Sequence, residues 1–194
     1  ILADVNAGVF RKSTAEDHIT AGNLLAADVL TTLESPGDVL DLLLMARTGW
    51  APALRDRNKI LPLTDWQAMA KQQDELTRNV GQYWTGRITQ GPPLAAGSPI
   101  EVGVVRLDHR HAVAWISAEA VAEWLPIMRA CNSEMAVIAW GYCQFVPTYL
   151  PTDALLDEGG YEVDQANRYE MNGPGPFASG LDRAFANVFR DLLS

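Results

Sequence analysis

The chain has 194 residues, of which 48% are hydrophobic and 20% charged, enough apolar material for a real core and too much for a disordered segment. Its formal charge of −9 makes an acidic surface that repels phosphate backbones, which argues against nucleic acid as a partner. No apolar run reaches the roughly 18 residues a membrane-spanning helix needs, and the two cysteines, Cys131 and Cys143, form neither a disulfide framework nor a zinc-knuckle spacing.

In chain order, Ile1 to Gly8 is expected to be the end of an apolar strand followed by a turn. Ser13-Thr14-Ala15-Glu16 is a capping box ahead of a helix, along which Ile19, Ala26, Val29, Leu30 and Leu33 recur at helical spacing. The helix should stop near Ser35-Pro36-Gly37. Val39 to Met45 is apolar and is expected to form a buried strand, and Lys59 to Leu63 a short one ended by Pro62. Thr64 or Asp65 should cap a polar helix from Trp66 to about Tyr83, followed by a Gly/Pro/Ala loop from Gln90 to Pro99.

Ile100 to Leu107 and Ala112 to Ile116 predict a hairpin turning at Asp108-His109-Arg110-His111. A helix from Ala118 to about Arg129 should bury Trp124, Leu125 and Met128, and Met135 to Trp140 should be a strand. The following stretch, Trp140 to Val163, is thick with turn residues and aromatics. Pro147 and Pro151 bias Val146 and Leu150 toward extended geometry, Gly159-Gly160 permits positive φ, and Tyr142, Tyr149 and Tyr161 ride on this frame. After the loop Asn172-Gly-Pro-Gly-Pro176, Ser179 should cap a last helix with Leu181, Phe185, Val188, Phe189 and Leu192 on its buried face. Strands and helices interleave, so the chain reads as α/β with a mixed sheet and flanking helices. Residues 1–194 form a single domain or half of a larger one.

Four features could carry chemistry. His109 and His111 alternate on one strand and could ligate zinc, but a hairpin tip attracts polar residues in any case. His18 falls in the first turns of a capped helix, where a solvated residue is expected. Glu119 follows a strand and opens the expected helix, at the sheet edge where α/β ligand sites lie; a glutamate there also gains from the helix dipole without any function. Tyr149 lies between two prolines and Tyr161 follows the glycine pair. If Met135–Trp140 lies beside Ala112–Ile116, the loops after both strands open on one edge and Glu119 meets Tyr149. A carboxylate and a phenolate can share a dication. The plain alternative is a core-capping loop whose tyrosines only pack.

These residues resemble the neutral/alkaline non-lysosomal ceramidase family. VVRLDHRHAVAWISAEAV looks like that family's strands leading to a glutamate, and WGYCQFVPTYLPTDALLDEGGYEV like its tyrosine loop, down to the Tyr-x-Pro-Thr and Gly-Gly-Tyr-Glu elements. KILPL, PGPFASGLDRAF and ILADVNAG fit more weakly. The resemblance implies the C-terminal half of a zinc-dependent catalytic domain that hydrolyses N-acylsphingosine or a related N-acyl lipid. Under it Glu119 and Tyr149 are metal ligands and Tyr161 stabilises the amide oxyanion. The two histidine ligands belong to the family's N-terminal half and have no counterpart here, so that half, from the same precursor or a partner chain, is an implied partner. Asn6 stands where some members carry serine, Ala7 replaces proline, and Gln144 replaces the loop's usual asparagine. These departures favour an alternative, a non-catalytic lipid- or partner-binding protein on the same fold. The compartment, whether cytoplasmic, periplasmic or secreted, is left open.

Overall fold

The structure, a computed structural model, describes residues 14–37, 39–170 and 173–194. The strand expected at Ile1–Gly8, the Asp4–Ala7 segment and the Asn172 end of the second loop lie outside the described residues. The fold is α/β. Its main sheet has the order β1-β2-β3-β5, built from β1 (Met45–Leu54), β2 (Gly97–Arg106), β3 (His111–Ile116) and β5 (Ala136–Trp140). The first three strands run antiparallel and β5 runs parallel to β3. A second ladder joins β4 (Glu119–Ala120) to β6 (Tyr149–Leu150) in parallel.

Alternation along the strands decides which face is covered. Ala51, Ala53, Ile100, Val102, Val104, Ala112, Ala114, Ile116 and Val137 are buried in one cluster with the helix α7 (Leu181–Leu193). Phe185 and Phe189 of α7 are fully buried there, each contributing about 2 kcal/mol from apolar area removed from water. Phe185 also meets Trp124 of α4 (Trp124–Ala130), with ring centroids 4.9 Å apart. On the opposite face Trp115 lies across the sheet, so close to Gly103 that a Cβ there would fall among its indole atoms. Trp50, Ile138 and Trp140 flank it on that face and are half or more exposed.

The N-terminal helix α1 (Ala15–Glu34) forms as expected, but the capping box is Thr14 with Asp17, one residue later than the Ser13–Glu16 reading. Ile19, Leu24, Leu25, Val29, Leu30 and Leu33 along it are all exposed. Val39–Met45 is not a buried strand. Its leucines are exposed and it makes one rung, Leu43 N–H to the Leu107 carbonyl, before β1 starts at Met45. Val39–Met45, apolar but for Asp41, shows no alternation, whereas MARTGWAPAL, less apolar overall, turns Ala51 and Ala53 inward and pairs along its whole length with β2.

KILPL is likewise no strand: a 3₁₀ turn at Arg57–Lys59 leads into α2 (Leu63–Met69), whose N-cap is Pro62. The single helix expected over Trp66–Tyr83 is two, α2 and α3 (Glu75–Gln90). Asp74 caps the second by accepting the Thr77 N–H. The break lets Trp66 fold back onto Trp84 and Val80, forming a small separate core with the indoles 6.1 Å apart. The expected hairpin is present, with β2 and β3 joined through the Asp108 turn. The helix expected from Ala118 begins only at Trp124, because the Glu119 and Val121 N–H groups are already bonded to the Thr148 and Leu150 carbonyls.

Beyond β6 come α5 (Asp153–Glu158), a π-helical turn at Tyr161–Gln165 and α6 (Ala166–Tyr169). Ser179 does not cap α7. Gly180 is the N-cap, and the Asp153 carboxylate accepts the Gly180 and Leu181 N–H groups at 2.8 and 3.0 Å. Asp182 returns the favour, accepting the Asp153 N–H at 2.9 Å, so two helix starts are satisfied reciprocally.

Candidate active site

The site lies where the chain leaves β3 and β5 on the same edge. Because these strands are parallel neighbours, the segments that follow them emerge side by side. Residues 117–121 then zip onto residues 141–150. The Ser117 hydroxyl donates to the Cys143 carbonyl at 2.8 Å, the Tyr142 N–H to the Ala118 carbonyl at 2.9 Å, and the Glu119 N–H to the Thr148 carbonyl at 3.0 Å. Glu119 and Tyr149 are register partners in the resulting two-rung ladder. The backbone thus brings together two residues 30 apart in sequence, as expected from the strand order. Glu119 sits in a strand, however, so it receives nothing from a helix dipole.

Three phenols gather here. Tyr142 and Tyr149 both lie near enough to the Glu119 carboxylate for it to raise their phenols. Tyr161 meets Tyr149 edge-on, with ring centroids 5.7 Å apart. Gly159 and Gly160 adopt φ values of 75° and 108°, which L side chains avoid, and so turn the chain sharply before the π-helical turn that opens with Tyr161. Tyr142 and Gln144 are themselves left-handed, each with φ 57°. Non-glycine residues in that region cost free energy and concentrate at functional loops.

The electrostatics are one-sided. Burial, then the Glu119 hydrogen bond and charge, push the Tyr142 phenol up to about 12. Burial, then the Glu119 charge and hydrogen bond, push Tyr149 to about 12, with Tyr161 and the buried Glu162 adding to the shift. Among the described residues the charges that raise the Tyr149 phenol, Glu119 and Glu162, are both acidic. Both shifts favour the neutral phenol. A dication would reverse that balance, since its field favours the phenolate.

Glu119 and Tyr149 offer oxygen ligands, but the described residues hold no group of three or more His, Cys, Asp or Glu able to bind a metal. His109 and His111 cannot complete it. They lie at the other end of the six-residue β3, about 20 Å away along the strand. There the His111 ring is 2.9 Å from Asp108, which also accepts the Arg110 and His111 N–H groups. His18 is on the exposed α1. Neither Cys131 nor Cys143 is in a disulfide.

Sequence reasoning missed Tyr142 as a neighbour of Glu119, and it missed Glu170. The Glu170 carboxylate accepts the Tyr149 N–H at 3.0 Å and the Thr148 hydroxyl at 2.6 Å, and pairs with Arg55 at 3.1 Å. Arg55 lies 115 residues earlier and nothing in its local sequence marks it. A cleft lined by Trp50, Ile100, Glu101, Ser117, Phe145 and Pro147 adjoins the tyrosine loop. Comparison with protein-family models, curated proteins and solved structures finds no match to this chain. Among the described residues no helix is long and apolar enough to cross a membrane.

Proposed function

We propose that this chain carries half of the metal site of a zinc-dependent amide hydrolase acting on an N-acylsphingosine or a related N-acyl lipid. The observation that supports this most is the register pairing of Glu119 with Tyr149, with the Glu119 and Glu162 charges both acting on the Tyr149 phenol. Glu119 and Tyr149 would hold the zinc together with imidazoles from a second segment, the N-terminal half of the domain. When bound, zinc supplies a more acidic water and polarises the amide carbonyl. Hydrolysis adds water across the C–N bond to give a carboxylate and an amine. Tyr161, at the edge of the Tyr149 ring, donates its hydroxyl to the oxygen that gains charge as the carbonyl is attacked, a bond that strengthens in the transition state.

The exposed apolar faces of α1, of residues 39–45 and of the sheet around Trp50 and Trp140 suit a chain that packs against a further segment. The same faces favour the second reading, a non-catalytic protein that binds a lipid or a partner there. A fluorogenic N-acyl amide separates the two. With the complementary half present, chelator-sensitive release of the amine is expected and restored by zinc. Absence of release, with the lipid still bound, would leave only the binding protein.

A further inference from the structure

One buried polar group in this molecule reaches both segments that carry site tyrosines. Arg55 follows β1 and its side chain is 2% exposed. Its Nη1 donates to the Asn167 Oδ1 and, at 2.8 Å, to the Gly175 carbonyl. Its Nη2 donates to Glu170 at 3.1 Å, and the guanidinium stacks 3.8 Å from the centre of the Phe177 ring. A planar fork of this kind can hold two partners at a fixed angle, which a lysine cannot.

Each partner reaches a tyrosine. Glu170 accepts the Tyr149 N–H at 3.0 Å and, through Thr148, fixes the residue before it. Asn167, with no exposed surface, donates through Nδ2 to the Glu162 and Val163 carbonyls at 3.0 and 2.6 Å, inside the turn that Tyr161 opens. Burial works against the Arg55 charge and Glu170 offsets part of that. A buried charge of this kind is costly to leave unpaired, which ties Glu170, and the segment it holds, to Arg55.

We infer that Arg55, Glu170 and Asn167 are positioning residues that set the Tyr149 ring against the Tyr161 ring. The inference rests on the reading of those phenols as working groups of an amidase. The network acts through the backbone of 148–149 and of 161–165, and it touches neither phenol. Loosening either arm changes where one ring stands relative to the other, and displacements of this order at a reacting centre are felt in turnover.

The test uses Glu170→Gln, Asn167→Ala and Thr148→Val. The last removes the Thr148 hydroxyl, which reaches both the Glu170 carboxylate and the Tyr149 carbonyl, and leaves the Arg55–Glu170 pair intact, so a readout remains if the first two do not fold. Two readouts are taken on each. The first is the nuclear Overhauser contact between the Tyr149 and Tyr161 rings in ring-labelled protein, which a loss of global stability alone does not remove. The second is kcat and KM on the fluorogenic N-acyl amide with the complementary half present. The expected result is a wild-type ring contact that weakens in every folded variant. With it, kcat falls about ten- to a hundredfold in Glu170→Gln and Asn167→Ala and less in Thr148→Val, while KM changes little. Folded variants that keep both the ring contact and the wild-type kcat overturn the inference, as does a wild-type protein with no ring contact. If the wild type hydrolyses no amide, the functional reading fails and the ring contact alone still decides the positioning role.

Discussion

At one end of β3, His111 bonds to Asp108, and Asp108 takes the Arg110 and His111 N–H groups within the same four-residue turn. Beyond the other end, Glu119 is met by Tyr142 and Tyr149, which arrive from a segment more than twenty residues later. The histidine end looks more like a metal site on residue type alone. Its polar groups, however, serve one another locally, as turn residues do. At the glutamate end the groups come from separate segments and are all acidic or neutral donors. Nothing local explains their meeting. Convergence from distant segments, and not residue type, distinguishes the two.

The sharpest way to break this comparison is to remove one group from each end. With the complementary half present, Glu119→Gln should abolish zinc retention by elemental analysis and chelator-sensitive hydrolysis with it. His109→Ala, at the other end, should leave both within about twofold, as expected of a surface substitution away from any site. If His109→Ala strips the metal and Glu119→Gln keeps it, the site has been placed at the wrong end of the strand. A smaller effect is expected at the third phenol. Tyr161→Phe removes one donor to the developing oxyanion, so zinc content should hold while kcat drops by roughly 10². A kcat equal to that of the wild type would make Tyr161 a ring that only packs on Tyr149.

The same comparison explains what could be read from the sequence. The hairpin, β5 and α7 were legible because each carries a clear period or a turn signal that a single stretch contains. The meeting of Glu119 with Tyr149 was legible one step further on, since it follows from β5 lying beside β3. What failed was local reasoning about segments whose hydrogen bonds go elsewhere. Ala118 to Glu123 has helical composition, but the Glu119 and Val121 amides pair with residues 148 and 150, so Glu119–Ala120 is a strand. Val39–Met45 has strand composition and pairs at a single rung. Arg55, Glu170 and Asn167 left no signal at all, because a buried polar network is defined by partners more than a hundred residues apart. The Asp153–Asp182 exchange was hidden for the same reason: an aspartate in the first turn of one helix caps another.

The gentlest test of the glutamate end is titration. The Tyr142 and Tyr149 phenols are raised from their ordinary value near 10 to about 12, by burial first and by Glu119 after it. Between those two values the folded protein keeps protons that the unfolded chain has released. The unfolded state then binds fewer protons, so the stability these groups contribute is whole below about pH 10 and is lost as pH rises toward 12. Solvent screens the effect more at Tyr142, whose ring is 49% exposed, than at half-buried Tyr149. Phenolate absorbance should therefore show two late-ionising tyrosines, which disappear one at a time in Tyr142→Phe and Tyr149→Phe. Glu119→Gln should bring both part of the way back, leaving the share due to burial. A titration that Glu119→Gln does not move would mean that the carboxylate and the phenols do not face one another, and the glutamate end of β3 would then be no more of a site than the histidine end.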